Sequence, residues 1–197
     1  MNRLLNIFLL FVFSAVVCFA NTGEQSVKVN PGGTISIHMS SSDITINVWQ
    51  KNEVLVRTND DEELKITNRN NIVKIEPGIS GYTEHLFVNI PSSFNVVVNT
   101  SAGDLEINGD IKGNLEIYNG GGDIDFRNIN GRVIVKTGGG DIHGNNINGN
   151  TSLKSSGGDI NLGSVKGKAS IVTGGGNIKL NSVTVIDIIN TSGGNIM

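Results

Sequence analysis

The sequence predicts an all-β fold, a parallel β-solenoid of the β-helix or β-roll kind, with about 18 residues and two short strands per coil. Three observations carry this expectation. The phrase Gly121-Gly122-Asp123-Ile124 returns as Gly139-Gly140-Asp141-Ile142 and Gly157-Gly158-Asp159-Ile160, then relaxes to Gly-Gly-Asn-Ile at Asn177 and Asn195, always in steps of 18. Apolar β-branched residues alternate with polar ones throughout, the period of a strand with one buried face. No segment after residue 20 shows sustained helical periodicity.

The first twenty residues read as a signal peptide. Arg3 supplies the positive charge and Leu4 to Val17 the apolar run, and small residues at Cys18 and Ala20 set a cleavage site before Asn21. The run is short for a membrane span, which needs about 20 apolar residues. Cys18, the only cysteine, offers lipid attachment as a rival, but Val17 is bulky where lipoprotein processing wants a small residue. Ordinary cleavage leaves a mature chain with no thiol, held by its core and ladder hydrogen bonds alone.

Residues 21–100 read as an N-terminal β cap with a divergent first coil and a hairpin insertion. Strands are expected at Thr34-Ile35-Ser36-Ile37, from Ile44 to Val48 and from Val54 to Arg57, with turns at Asn30-Pro31-Gly32-Gly33 and Pro77-Gly78. Ser42-Asp43-Ile44-Thr45-Ile46 is a degenerate copy of the repeat phrase, so Trp49 is expected to plug the core of the cap. The acidic run Asn59-Asp60-Asp61-Glu62-Glu63 lacks the order of a calcium loop and is read as a solvated hairpin tip. A second hairpin is expected around Asn68-Arg69-Asn70-Asn71, followed by a loop from Gly78 to His85.

Regular coils then fill 101–197. Counted from the Asp or Asn of each phrase, apolar or small residues recur at +1, +3, +6, +10, +12 and +14. Those uneven gaps exclude a hexapeptide helix. The Asp directly after the glycines, with no Gly-Gly-x-Gly in the other half-coil, excludes a calcium-binding nonapeptide roll. Gly corners are expected for positive φ or close backbone approach.

Asp104, Asp123, Asp141, Asp159, Asn177 and Asn195 form one polar column. It could be a cation ladder, or each side chain could close its own turn by accepting backbone N–H bonds, which Asp and Asn both do. The second reading is preferred, because Asn in the last two coils keeps the bond and drops the charge. The outward face carries Tyr118, Lys136 and Lys154 at +13 and Arg132 and Lys168 at +9. This mildly basic strip could meet an anionic polysaccharide or the cell envelope, or serve only as a solvated, edge-protecting surface.

Chemistry is sparse. His38, His85 and His143 lack the spacing of a local metal motif, and neither Gly-x-Ser-x-Gly nor a phosphate loop is present. No catalytic residue, cofactor or metal is expected. A net charge of −3 argues against nucleic acid.

The segments Gly33-Thr34-Ile35-Ser36-Ile37, Ser42 to Trp49, Asn52 to Val56, Val88-Asn89-Ile90-Pro91 and Thr100 to Ile107, with the Gly-Asp-Ile phrases after them, resemble the bacterial putative-adhesin family of β-strand-repeat proteins. The resemblance spans nearly all of the mature chain. It implies an exported, envelope-associated solenoid; its motifs are structural and bring no catalytic residue. The expected function is thus a non-enzymatic adhesin-like interaction or scaffold module, periplasmic, on the cell surface or secreted. An envelope-stress sensing or regulatory partner and a polysaccharide-active β-helix enzyme are the alternatives. Envelope glycan or protein is the expected partner. The repeat breaks off at Asn195-Ile196-Met197 without an evident cap, so either the gene product is shortened or the last coil docks on another chain in end-to-end self-association.

Overall fold

The structure is a computed structural model that describes residues 24–60, 63–79 and 83–197. The expected signal peptide and Cys18 lie outside the described residues, as do Asp61 and Glu62 of the acidic run and residues 80–82 of the expected loop.

Sixteen strands follow one another: β1 (Glu24–Lys28), β2 (Thr34–Met39), β3 (Asp43–Trp49), β4 (Glu53–Thr58), β5 (Leu64–Arg69), β6 (Ile72–Pro77), β7 (His85–Pro91) and β8 (Asn95–Thr100). They continue with β9 (Leu105–Asn108), β10 (Leu115–Asn119), β11 (Ile124–Phe126), β12 (Val133–Thr137), β13 (Ile142–Gly144), β14 (Thr151–Ser155), β15 (Ile160–Thr173) and β16 (Ile178–Thr191). All sixteen belong to one mostly parallel sheet that folds back on itself.

One face runs β7-β3-β9-β11-β13-β15 and the other β6-β2-β8-β10-β12-β14-β15, so β15 belongs to both. Alternation explains the two faces. In β2 every second residue is buried, and Ile35 and Ile37 are fully so. The register stacks like on like: Leu115 faces Val133, Val133 faces Thr151, and Thr151 faces Ala169, each 18 residues on. A third column closes the coil on its remaining side through isolated parallel bridges joining Ile111, Ile129, Ile147 and Val165.

Four features depart from the sequence reading. The coil made by β2 and β3 is not terminal. β6 and β7 pair in parallel with β2 and β3 on one side, while β8 and β9 pair with them on the other. The chain therefore lays down residues 72–91 outside residues 34–49 and crosses back. Much of the expected insertion is itself a coil of the stack; the antiparallel strands β5, on β6, and β4, on β7, with β1 in turn on β4, cover its outer side.

Second, the last two coils run as single 14-residue strands instead of two short ones each, because their ladder continues around the corners with register irregularities between Val165 and Lys168 and between Ala169 and Ser170. Asp187, ten residues after Asn177 and so at the +10 place of its coil, falls at that irregularity. Its carboxylate reaches Lys168 Nζ at 2.8 Å instead of taking an inward place among Val133, Thr151 and Ala169. A charge has no partner in that column.

Third, Trp49 is half-buried and not a core plug. Its Nε1–H donates to the Glu53 carbonyl at 2.8 Å, so the indole braces the β3–β4 turn with Lys51 Nζ 4.8 Å above its ring. Fourth, the start of the acidic run is not a solvated tip. Asp60 accepts from the Thr83 hydroxyl at 2.8 Å and from the Glu84 N–H at 3.0 Å, and Asn59 Oδ1 accepts from the His85 N–H. Thr83 is fully buried, so its bond to Asp60 satisfies a hydroxyl that water does not reach.

The hairpin around Asn70 and Asn71 forms as the residue types require. Both adopt left-handed backbone, with φ of 52° and 62°, and join β5 to β6 in a two-residue turn.

Candidate functional site

The column of Asp and Asn residues is a ladder between coils. The sequence reading has each side chain closing its own turn; in the structure the donor sits one coil further on. Asp104 Oδ1 accepts from the Asp123 N–H at 2.8 Å, Asp123 from Asp141 at 2.8 Å, and Asp141 from Asp159 at 2.7 Å. Asp159 accepts from Asn177 at 2.6 Å and Asn177 from Asn195 at 3.0 Å. The sharp bend aims each N–H along the stack, and only the side chain of the preceding coil can reach it. Asp43 Oδ1 starts the ladder by accepting from the Asp104 N–H at 2.9 Å, 61 residues away. The degenerate phrase around Asp43 carries the signal for this, but the separation hides it.

The same device recurs elsewhere. Asn95 Oδ1 accepts from the Asn114 N–H, Asn114 from Arg132, and Asn150 from Lys168. Inside the corner, Ser155 and Thr173, read from sequence as part of an alternating core column, are buried and bonded. Their hydroxyls donate to the carbonyls of Gly140 and Gly158, 15 residues earlier. These bonds account for the Gly-Gly-Asp-Ile motif without any ligand.

The outward strip divides. His38, Asn99, Tyr118, Lys136 and Lys154 occupy successive positions of one register row across β2, β8, β10, β12 and β14. They line a shallow groove of about 720 Å³ whose floor includes Thr100, Asn119 and Thr137. Lys136 Nζ stands 5.2 Å from the centroid of the Tyr118 ring. The Tyr118 hydroxyl donates to Glu116 Oε1 at 2.9 Å, and this bond to a carboxylate raises its pKa above the usual phenol value. His38 shares a hydrogen bond of 3.0 Å with the Ser36 hydroxyl. Arg132 and Lys168 lie outside this groove, and Lys168 is engaged by Asp187.

A second, more polar groove of about 430 Å³ lies on the other face, lined by Glu106, Asp125, Arg127, His143 and Asn161 among others. Sequence reasoning missed it because its row is assembled from four coils: Glu106, Asp125, His143 and Asn161 are cross-strand neighbours. His143 Nδ1 is 3.7 Å from Asp125 Oδ1, with both side chains about half exposed. Acid–base chemistry that depends on excluding water finds no shelter there. Phe126 leans over Gly144 in the wall of this groove, where a Cβ would meet both that ring and Leu162.

The three histidines remain apart. His85 stacks on Phe87 with centroids 4.1 Å apart and shares a hydrogen bond with Thr45. Among the described residues no group of three or more His, Cys, Asp or Glu side chains is placed to hold a metal ion.

Among solved structures, the fold is similar to a putative adhesin from Bacteroides fragilis NCTC 9343, with 15% identity and a TM-score of 0.53 over 88% of this chain and 94% of that one. A putative adhesin from Parabacteroides merdae ATCC 43184 matches at 11% identity and a TM-score of 0.30 over 88% and 95% of the two chains. A putative cell adhesion protein from Clostridium sporogenes ATCC 15579 matches at 10% and 0.35 over 88% and 96%. No curated protein matches the sequence. The family profile described as Toastrack DUF4097 matches residues 20–197, nearly the whole chain, and the protein belongs to that family.

Proposed function

We propose that the protein is an exported, non-enzymatic interaction module that holds an acidic glycan of the cell envelope along the groove of Tyr118, Lys136 and Lys154. The observation that carries this reading is the register row itself. Neighbouring strands in a sheet lie about 4.8 Å apart, so the row offers an aromatic ring, two ammonium groups and the His38 imidazole at regular intervals across a shallow trough. An extended polymer with periodic carboxylates suits such a surface better than a compact substrate does. The resemblance to adhesins and the apolar leader at residues 4–17 support an envelope location.

The test is binding of the purified protein to acidic and neutral envelope glycans at low and high salt. Acidic glycans should bind, more weakly as salt rises, because the contact is between exposed charges. The double variant K136E/K154E should lose at least tenfold in affinity with an unchanged melting temperature, and Y118A should lose several-fold. Equal binding by the charge-reversed variant would refute the assignment.

A further inference from the structure

The second groove carries side chains that the fold itself does not use. Glu106 of β9, Asp125 of β11, His143 of β13 and Asn161 of β15 form one row of cross-strand neighbours. Two residues further along the chain, and so on the same side of the sheet, Asn108, Arg127 and Asn145 form a second row in the same groove. Neighbours within a row stand about 4.8 Å apart, and the two rows lie roughly 6–7 Å apart.

Stability does not explain either row. Elsewhere in the coils asparagine amides are engaged. Asn146 Nδ2 donates to Asn128 Oδ1 and Asn148 Nδ2 to Asn130 Oδ1, each at 3.0 Å, and Asn119 Nδ2 donates to the Gly103 carbonyl at 2.8 Å. The side chains of Asn108, Asn145, Asn161 and Glu106 make no hydrogen bond or ion pair among the described residues. Glu106 stands directly across from Asp125, an arrangement of like charges that costs a sheet stability. Asp125 itself has only His143, 3.7 Å away. Asn and Asp are also poor strand formers. On the opposite face the outward positions include Val97, Ile134 and Val172, the residue types that strands prefer.

We infer that this groove binds an uncharged, polyhydroxylated chain, a neutral glycan lying across the strands with its hydroxyls between the two rows. The mixture of groups selects the occupant. Arg127 offsets one of the two carboxylates, so the groove has no strong charge of either sign to favour a polyanion or a polycation. Carboxylates accept hydrogen bonds, a guanidinium donates them, and amides do both. A hydroxyl donates and accepts at once, so the vicinal hydroxyls of a sugar can pair with every one of these groups. The interval within a row is close to the length of one unit in an extended glycan, which lets the same bonds repeat from coil to coil. The groove's volume of about 430 Å³ lies within the usual range for ligand sites, about 300–1,000 Å³. This site is on the other face from Tyr118, Lys136 and Lys154, and it does not rest on the acidic-glycan reading of that groove.

Calorimetric titration of the full chain with neutral hexasaccharides of glucose, mannose, xylose and N-acetylglucosamine tests the inference, with hexalysine as the cationic probe. At least one neutral hexamer should bind with an affinity that does not change with salt. The double variant E106A/N161A should weaken that binding at least tenfold with an unchanged melting curve, because neither side chain is bonded within the chain. K136E/K154E should leave it as it is, which separates the two grooves. Failure of all four hexamers to bind would overturn the inference, as would equal binding by E106A/N161A or a loss in K136E/K154E. Tighter binding of hexalysine than of any neutral hexamer would overturn it too, since the occupant would then be cationic.

Discussion

Within the repeat phrase the two glycines do different work. A Cβ at Gly140 would land on the carbonyl oxygen of Gly122 in the preceding coil, and Gly158 and Gly176 have the same relation to the coil before them. At Gly139 a Cβ would have nothing within 4 Å, and the backbone is not in the left-handed region. Alanine at the two positions should therefore act in opposite directions. G140A forces backbone apart in a close-stacked ladder and should cost about 1–3 kcal/mol, the range for overpacked sites. G139A should be neutral or stabilise by up to about 1 kcal/mol, because it lowers the entropy of the unfolded chain. Thermal unfolding of the two variants decides it, and equal losses would mean that the first glycine has a role the single chain does not reveal. Composition alone shows that the corners are glycine-rich. Which glycine is obligatory depends on the carbonyl one coil away, and one sequence cannot display that contact.

Hydrogen-bonded side-chain ladders are what make the strands an array. Four consecutive carboxylates, from Asp104 to Asp159, stand one coil apart on one edge. Unit charges about 5 Å apart in water repel by roughly 1 kcal/mol, and a hydrogen bond to a charged group contributes about 1.5–3 kcal/mol. The bond wins, which is why the column tolerates its own charge. D141N should then unfold within a degree or so of the natural chain, since Asn177 already makes the equivalent bond. D141A strands the Asp159 N–H and should cost about 1–2 kcal/mol, which for a chain of this size is a fall of about 2–8 °C. Equal falls in D141N and D141A would show that charge, not the bond, is what matters there. The column and its residue types were legible in the sequence at their 18-residue spacing. Its direction was not, because closing one's own turn and reaching the next coil need the same residues. The order of β6 and β7 relative to β2 and β3 was hidden for a related reason. Strands of similar alternation can pair in several orders, and the choice is made by contacts far apart in sequence, such as Ile44 with Leu86, 42 residues on, and with Leu105, 61 residues on.

Across the whole molecule, a stack in which each coil touches only its neighbours has a stability close to the sum of its coils and interfaces. Central coils have two interfaces and terminal ones fewer, so stability should grade along the stack. The N-terminal end is compensated by β1, β4 and β5, whose buried Val54, Val56, Leu64 and Ile66 close the core. The β16 end has no such cover among the described residues, and Val183 and Ile189 pack only from one side. Amide hydrogen exchange should read this asymmetry directly, because protection follows the free energy of local opening. In dilute protein the amides of β12 and β14 should exchange slowest, β4 and β5 at intermediate rates, and residues 181–191 fastest. Uniform protection from β4 to β16 in the dilute chain would show that the solenoid opens as one cooperative unit, and that its two ends are equally well held.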